Sequence, residues 1–173
     1  NREEVLARYP RIMRRVSGYN LDVMLEAGPT NLTGMVVGSE GTLVVATEAK
    51  LNLEPLPKMK TLAVLHFNGI NEAMEATVAI LEHGPSAVEL VDRMILDRTR
   101  ESVGFARRMS FVEGQPQALL LVEFYGESEK ELQSKVDALK EDILQRRGLA
   151  YACVMATTPQ EQATYAAAIN RYV

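Results

Sequence analysis

The chain has 173 residues, of which 47% are hydrophobic, and this is enough for one ordinary domain or two small ones with a real core. Its net charge is −4, and its 19 basic and 23 acidic residues are well mixed, so the sequence lacks the basic stripe of a nucleic-acid-binding protein. A single cysteine and two histidines exclude an internal disulfide, a cysteine-rich metal site and a histidine metal cluster.

The N-terminal region predicts a bent helix followed by a loop. Apolar residues recur at steps of three and four from Arg2 to Val16, and Pro10 is expected to break or bend this helix. A short helical or irregular piece follows over Tyr19–Leu25, and glycine, proline and asparagine mark a loop over 28–34. Because the chain begins with Asn1, directly in helical sequence, we expect it to be a piece of a longer protein.

The stretch Gly38–Leu53, which reads GSEGTLVVATEAKLNL, combines a glycine turn with a strand pattern. Apolar and polar residues alternate over Leu43–Leu53, which predicts a half-buried strand, and its first half, Leu43–Ala46, is expected to lie between two layers. Glycine adopts positive φ and lets backbone N–H groups approach an anion, so the turn is a candidate phosphate or cofactor cradle. A plain chain reversal is the alternative interpretation.

Residues 54–60, reading EPLPKMK, predict a domain boundary. Pro55 and Pro57 cannot donate to a strand ladder and favour extended backbone. We therefore expect one domain over 1–57 and a second over 58–173.

The second domain predicts two strand–helix–strand units. Such a pair is typical of an α+β, ferredoxin-like antiparallel sheet with helices on one face. The first helix is expected to start at Asn71 and to face the core through Met74, Val78 and Leu81. The predicted elements are a strand Leu62–Phe67, a helix from Asn71 to Gly84, a strand Ala87–Val91, a helix Arg93–Val103, a loop Arg107–Gln117, a strand Ala118–Tyr125, a helix after the Ser128/Glu131 capping box, a strand Tyr151–Ala156 and a helix after the Thr158/Glu161 capping box.

A few reactive side chains remain as candidates, and most have a structural interpretation. His66 lies inside an apolar strand and is expected to be structural, and His83 lies at a helix end, where a positive charge is favourable. Cys153 is expected to be a buried, inert thiol. Arg107 and Arg108 could bind a substrate carboxylate through their guanidinium groups.

Two segments together resemble the end of the FAD-binding domain in the FAD-linked oxidases. They are Arg14–Leu21, reading RRVSGYNL, and Gly38–Leu53, and the prolines at 55 and 57 follow them. The resemblance is to the vanillyl-alcohol-oxidase and p-cresol-methylhydroxylase (PCMH) superfamily. Within it, the sequence is most similar to the branch of D-lactate dehydrogenases and glycolate oxidase flavin subunits. There a Gly-Tyr-Asp-Leu segment precedes Gly-Ser-Glu-Gly-Thr-Leu-Gly and a Thr-Glu-Ala strand.

This chain departs from the family pattern at three points. Asn20 stands where the family has aspartate, and Val44 stands where a glycine is usual. The spacing between Gly18 and Gly38 is also longer than in the family. The family's first FAD-binding half and its late histidine-rich motif are absent from this sequence, so we assign no catalytic residue here.

The resemblance implies that residues 1–57 are the C-terminal part of a PCMH-type FAD-binding domain and that 58–173 are a ferredoxin-like substrate or cap domain, itself incomplete. It implies FAD as the cofactor of the intact protein. The residues expected to line the FAD are Gly18, Tyr19, Gly38, Ser39, Glu40, Gly41 and Thr42.

The activity implied by the resemblance is the oxidation of a small 2-hydroxy acid of the D-lactate or glycolate type by hydride transfer to FAD. The partners are then the hydroxy acid, an electron acceptor and the rest of the polypeptide, in the cytoplasm or peripheral at the inner face of the membrane. The isolated fragment is expected to be inactive and to bind FAD weakly, and its oligomeric state stays open. The alternative is a non-catalytic binding or assembly module that pairs through an exposed sheet edge.

Overall fold

A computed structural model describes residues 1–12, 18–27, 31–102, 104, 109–156 and 158–169 of the chain. The chain divides into two compact units, Asn1–Glu54 and Pro55–Val173. The end of the predicted first helix at 13–17, the start of the predicted loop at 28–30, and the pair Arg107 and Arg108 lie outside the described residues.

The first unit contains three short helices, α1 (Arg2–Arg8), α2 (Leu21–Ala27) and α3 (Thr33–Val36). Helix α1 is followed by Tyr9 in an extended conformation, so the predicted break at Pro10 is confirmed. Helix α2 confirms the short helical piece. Helix α3 is a single turn inside the region that glycine and proline had predicted as loop.

The predicted strand over Leu43–Leu53 is wrong, and so is the burial of its first half between two layers. No strand forms over these residues, and the side chains of Val45 and Leu53 are 92% and 89% exposed. An alternating sequence becomes a strand only where a neighbouring strand accepts and donates its hydrogen bonds. The four strands of the described residues pair with one another, so the alternation here has no ladder to join.

The second unit is built on a four-stranded antiparallel sheet with strand order β2-β3-β1-β4. This topology confirms the predicted α+β, ferredoxin-like fold. The elements are β1 (Met59–Phe67), α4 (Ile70–Leu81), β2 (Ala87–Asp92), α5 (Arg93–Glu101), β3 (Ala118–Gly126), α6 (Glu129–Lys140) with a π-helical turn over Glu141–Arg146, β4 (Ala152–Ala156) and α7 (Pro159–Ile169).

Strands β1 and β3 form the centre of the sheet. Their ladder runs from Met59 opposite Gly126 to Phe67 opposite Ala118, and β4 joins the other side of β1. Seven consecutive β1 residues are buried, because helices or loops cover both faces of this strand. An uninterrupted apolar run is therefore the pattern that this position requires.

Helices α4 and α6 cover one face of the sheet, as predicted, but the predicted inward face of α4 is wrong. The buried side chains of α4 are Ala73, Ala76, Ala79 and Ile80, whereas Met74, Val78 and Leu81 are exposed. Both faces are apolar, so periodicity alone does not distinguish them. The sheet packs against the alanines because small side chains let the helix approach closely.

The opposite face of the sheet has a second, smaller core. Helix α5 contributes Leu96, α7 contributes Tyr165, and the segment before β3 contributes Met109 and Phe111. The rings of Phe111 and Tyr165 lie with centroids 4.2 Å apart. Helices α5 and α7 therefore form a second helical layer on this face, in addition to the one face of helices that the sequence predicted.

The capping boxes predicted from sequence position the helices after β3 and β4. Thr158 Oγ1 accepts from the N–H of Glu161 at 3.2 Å, and the Glu161 carboxylate accepts from the N–H of Thr158 at 3.1 Å. Ser128 Oγ accepts from the N–H of Glu131 in the same way. The predicted start of α4 at Asn71 is wrong, because Gly69 is the N-cap.

Candidate functional site

The glycine stretch of the first unit forms a tight turn over Ser39–Thr42. The N–H of Thr42 donates to the carbonyl of Ser39 at 3.0 Å, and both central residues have positive φ, +51° at Glu40 and +74° at Gly41. Two positive φ values are the signature of a type I′ turn, which favours glycine. Gly38 also has positive φ, so the chain reverses sharply within a few residues.

The second predicted segment lies directly beside this turn. Tyr19 and Thr42 are joined by a hydrogen bond of 2.8 Å between their hydroxyl groups. The side-chain amide of Asn20 donates to the carbonyl of Val37 at 3.0 Å. A Cβ at Gly38 would lie 3.4 Å from that amide nitrogen and 4.0 Å from the carbonyl oxygen of Gly18. The structure thus brings together two segments that are far apart in the sequence.

Internal hydrogen bonds engage the Thr42 hydroxyl of the turn. Thr42 Oγ1 donates to the carbonyl of Ser39 at 2.6 Å, so the Tyr19 hydroxyl is the donor in its bond to Thr42. The Ser39 side chain is buried. The sequence suggested Ser39 and Thr42 hydroxyls as donors to a ligand, whereas in the structure one is buried and the other donates within the turn.

Two backbone groups of the turn stay open to a ligand. Among the described residues, no acceptor takes the N–H of Glu40 or of Gly41, and both residues are exposed. A Cβ at Gly41 would meet no atom within 4 Å, so the approach to this N–H is unobstructed. The pair can bind a phosphate or carbonyl oxygen, although the adjacent Glu40 carboxylate weakens the attraction for an anion. The turn therefore fits an oxygen-rich cofactor such as FAD through backbone donors.

His66 in β1 is fully buried and holds the segment before β3. Its Nε2 lies 3.0 Å from the backbone nitrogen of Glu113 and 3.1 Å from the carbonyl oxygen of Phe111, and its Nδ1 lies 3.1 Å from the carbonyl oxygen of Val64. Desolvation by burial lowers the pKa of His66, so the ring is neutral at physiological pH. Tyr151 donates to the carbonyl of Glu113 at 2.8 Å and secures the same segment. This geometry agrees with the structural role expected for His66.

A buried carboxylate at the end of α6 was not identified from the sequence. Asp142, in the π-helical turn, accepts from His83 at 3.0 Å and from Arg146 and Arg147 at 2.6–2.9 Å. The hydrogen bond to His83, with those to the two arginines, holds the pKa of the Asp142 carboxyl well below its usual range. In the sequence, two adjacent arginines four and five residues after Asp142 were the available indication that this carboxylate is ion-paired. The arrangement links the ends of α4 and α6, and the sequence prediction for His83 missed its aspartate partner.

A groove of about 620 Å³ lies at the end of the sheet where β1 begins. Its walls include Met59, Tyr125 and Pro159, and two lysines line it. Lys58 is ion-paired with Glu127, and Lys60 with Glu123 at 3.3 Å. Because both lysines are paired, a carboxylate substrate would have to compete with Glu123 or Glu127 for them.

The side chains and helices of the described residues bear on whether they could bind a metal ion or cross a membrane. The described residues contain no cluster of three or more His, Cys, Asp or Glu side chains able to hold a metal ion. None of the helices within them has both the length and the apolar composition needed to cross a bilayer. Cys153 is a free thiol, and burial raises its pKa to about 11, which agrees with the inert thiol expected from the sequence.

Comparison with known proteins matches residues 56–172 to the family described as FAD linked oxidases, C-terminal domain. The chain belongs to the FAD-linked oxidase family, whose cofactor is FAD, and the predicted resemblance is confirmed. The matched range lies entirely within the second unit. The assignment of Gly18, Tyr19 and 38–42 to the cofactor remains a prediction, because these residues lie before it.

Several curated relatives are dehydrogenases of 2-hydroxy acids. A D-2-hydroxyglutarate dehydrogenase of Pseudomonas putida is 30% identical over 135 residues, which are 75% of this chain and 13% of the relative. A second D-2-hydroxyglutarate dehydrogenase, from Escherichia coli, is 29% identical over 80% of this chain and 14% of the relative. A probable mitochondrial D-lactate dehydrogenase of Danio rerio is 32% identical over 70% of this chain and 23% of the relative. The chain thus spans less than a quarter of the length of these relatives.

Proposed function

We propose that this chain is part of an FAD-dependent dehydrogenase of small 2-hydroxy acids, of the D-lactate, glycolate or D-2-hydroxyglutarate type. The observation that carries this proposal is the family match over residues 56–172, together with relatives that are dehydrogenases of such acids. When bound, FAD would accept the hydride from the α-carbon of the acid. The electrons would then pass to an acceptor, and we propose a cytoplasmic or peripheral inner-membrane location.

Within this function, we propose that the first unit contributes to the FAD site. The N–H groups of Glu40 and Gly41, for which the described residues supply no acceptor, would donate to an oxygen of the cofactor, and Tyr19 would hold Thr42 so that the turn keeps its shape. Positive φ at Gly38 and Gly41 supports this role, because only glycine adopts it without strain.

The exposed segment 43–54 supports the same assignment. Its alternation of apolar and polar residues is suited to a strand, yet Val45 and Leu53 are almost fully exposed. A partner strand from an FAD-binding half elsewhere in the parent polypeptide would supply the missing ladder. We therefore propose that residues 1–57 complete such a domain and that 58–173 form its substrate or cap domain.

The test is flavin chemistry in the full-length parent protein. The purified protein is expected to carry FAD, and anaerobic addition of D-lactate, glycolate or D-2-hydroxyglutarate is expected to bleach the flavin absorbance with one of them. A colourless protein that also fails to take up added FAD would favour the non-catalytic assembly module. If the protein takes up FAD but none of these acids bleaches it, the cofactor assignment would stand and the proposed substrate class would be overturned.

The turn has a matched control within the chain. Gly41 and Gly84 both have positive φ and open space at Cβ, but only Gly41 lies in the proposed cofactor turn. We expect Gly41→Val to weaken FAD binding by about tenfold or more, since a distorted turn misplaces its N–H donors, and Gly84→Val to leave FAD binding unchanged. Equal FAD affinity in the two variants would remove the turn from the cofactor site.

A further inference from the structure

Helix α4 (Ile70–Leu81) is apolar on two opposite faces. The face toward the sheet consists of alanines and Ile80, which are buried. The other face carries large apolar side chains that are 46–69% exposed. These four residues, Ile70, Met74, Val78 and Leu81, form what we call the α4 outer face. A surface helix normally carries polar residues there, and a contiguous apolar patch indicates an interaction surface.

The spacing of the α4 outer face suits a helical partner. Met74, Val78 and Leu81 follow one another at steps of four and three, which is the seam spacing of paired helices, and Ile70 extends the seam by another turn. The geometry therefore fits a helix laid along α4.

One flank of this seam carries two glutamates. Glu75 and Glu82 directly follow Met74 and Leu81, in the positions that face the flanks of a partner helix. Arg147 lies near both glutamates, since it makes an exposed ion pair of 3.4 Å with Glu82 and interacts electrostatically with Glu75, and such exposed interactions are weak. An antiparallel contact between two α4 helices would bring these acidic flanks together, which is unfavourable. Charge complementarity thus favours a basic partner over a second copy of this chain.

We propose that the α4 outer face docks an amphipathic partner helix whose apolar seam is flanked by lysine or arginine. The seam would bury the exposed side chains of Met74, Val78 and Leu81, and the basic flanks would lie against Glu75 and Glu82. This binding site is independent of the proposed flavin chemistry.

The experiment uses two synthetic helical peptides with the same leucine and isoleucine seam. One peptide carries lysine at the flanking positions and the other carries glutamate, and binding to the 173-residue chain is followed by fluorescence anisotropy. We expect the lysine peptide to bind about tenfold or more tightly than the glutamate peptide at low salt, with the ratio falling as ionic strength rises. Equal binding of the two peptides, or no binding of either, overturns the proposal.

Variants of the chain distinguish binding at the α4 outer face from non-specific hydrophobic binding. Met74→Ser is expected to lower the affinity for the lysine peptide by about tenfold, because it removes an apolar contact at the centre of the face. Met94→Ser is the matched control, since Met94 is an exposed methionine of α5 with 67% exposure. Glu75→Lys is expected to abolish the preference for the lysine peptide, because the substituted lysine offsets the charge of Glu82 on the same flank. Equal losses in the two methionine variants, or an unchanged preference in Glu75→Lys, would contradict the docking site.

Self-association is tested separately by sedimentation of the chain at several concentrations. We expect a single species whose mass does not depend on α4. A dimer that dissociates in Met74→Ser would make a second copy the occupant of this face and would overturn the proposed basic partner. Circular dichroism of each variant checks that the fold is retained.

Discussion

The two units of the chain differ in how far their apolar side chains are buried. In the second unit, buried side chains fill both faces of the sheet. Among the described residues of the first unit, Ser39 alone is buried, and Leu51 and Leu53 are exposed. Both units carry strand-like alternation or apolar runs. The difference shows that such a pattern gives a core only where the fold also supplies the strands and helices that cover it.

The largest expected effect comes from one substitution made in each unit. Leu65 is fully buried and Leu53 is 89% exposed. We expect Leu65→Ala to lower the free energy of unfolding by about 2–5 kcal/mol, because it leaves a cavity in the core, and Leu53→Ala to change it by about 0.5 kcal/mol or less. Urea unfolding followed by circular dichroism measures both. A cost at Leu53 similar to that at Leu65 would mean that the first unit has a core of its own.

A smaller effect is expected at Asp142, which makes the second unit sensitive to acid. Asp142→Asn is expected to cost about 1–3 kcal/mol at neutral pH, because charged hydrogen bonds to His83 and the arginines are lost. The folded-state pKa of Asp142 is lowered, so its contribution is complete above the ordinary carboxyl pKa of about 3.9 and is lost as the pH falls below it. The free-energy difference between variant and wild type should therefore shrink in acid. A difference that stays constant down to low pH would rule out this linkage.

The capping box of α7 should contribute less again. Thr158→Ala is expected to cost about 1 kcal/mol in the free energy of unfolding, because the N–H of Glu161 loses its acceptor. Thr164→Ala in the same helix is the control, since its hydroxyl donates to the carbonyl of Gln160 within the helix and caps nothing. Equal destabilisation of the two variants would contradict the contribution of the cap.

The smallest expected change in stability follows from proteolytic cleavage within the first unit. Trypsin should cleave after Lys50 before it cleaves after Lys60, because Lys50 lies in an exposed segment without strand pairing and Lys60 lies in β1. The cleaved chain should keep the unfolding midpoint of the intact second unit. Mass spectrometry of the early fragments identifies the site, and early cleavage after Lys60 would contradict the contrast between the units.

The sequence predicted correctly those features that depend on neighbouring residues alone, such as apolar strands and helix caps. The apolar runs of β1 and β3 predicted central strands, and the Thr158/Glu161 spacing predicted a reciprocal cap that the structure contains. In the candidate site, the sequence also indicated which segments belong together, and Tyr19 does meet Thr42. Family resemblance supplied that pairing, because no residue spacing could have derived it.

The failures of sequence reasoning concern contacts between distant residues. Periodicity favoured Met74 and Val78 as the inner face of α4, whereas the sheet packs against Ala73 and Ala76. The strand predicted over 43–53 lacks a partner among the described residues. The bond between His83 and Asp142 joins residues 59 positions apart. None of these outcomes is encoded in a short window of sequence.

The π-helical turn after α6 affects the number of residues between α6 and β4, and therefore the register in which β4 pairs with β1. Its wider ring, in which the N–H of Arg147 donates to the carbonyl of Asp142 at 2.9 Å, accommodates one residue more than an α-helical turn. The chain then enters β4 through Tyr151, whose N–H donates to the carbonyl of His66. Losing a single residue here would shift β4 one step along β1, and Cys153 and Met155 would then exchange faces of the sheet with Val154 and Ala156.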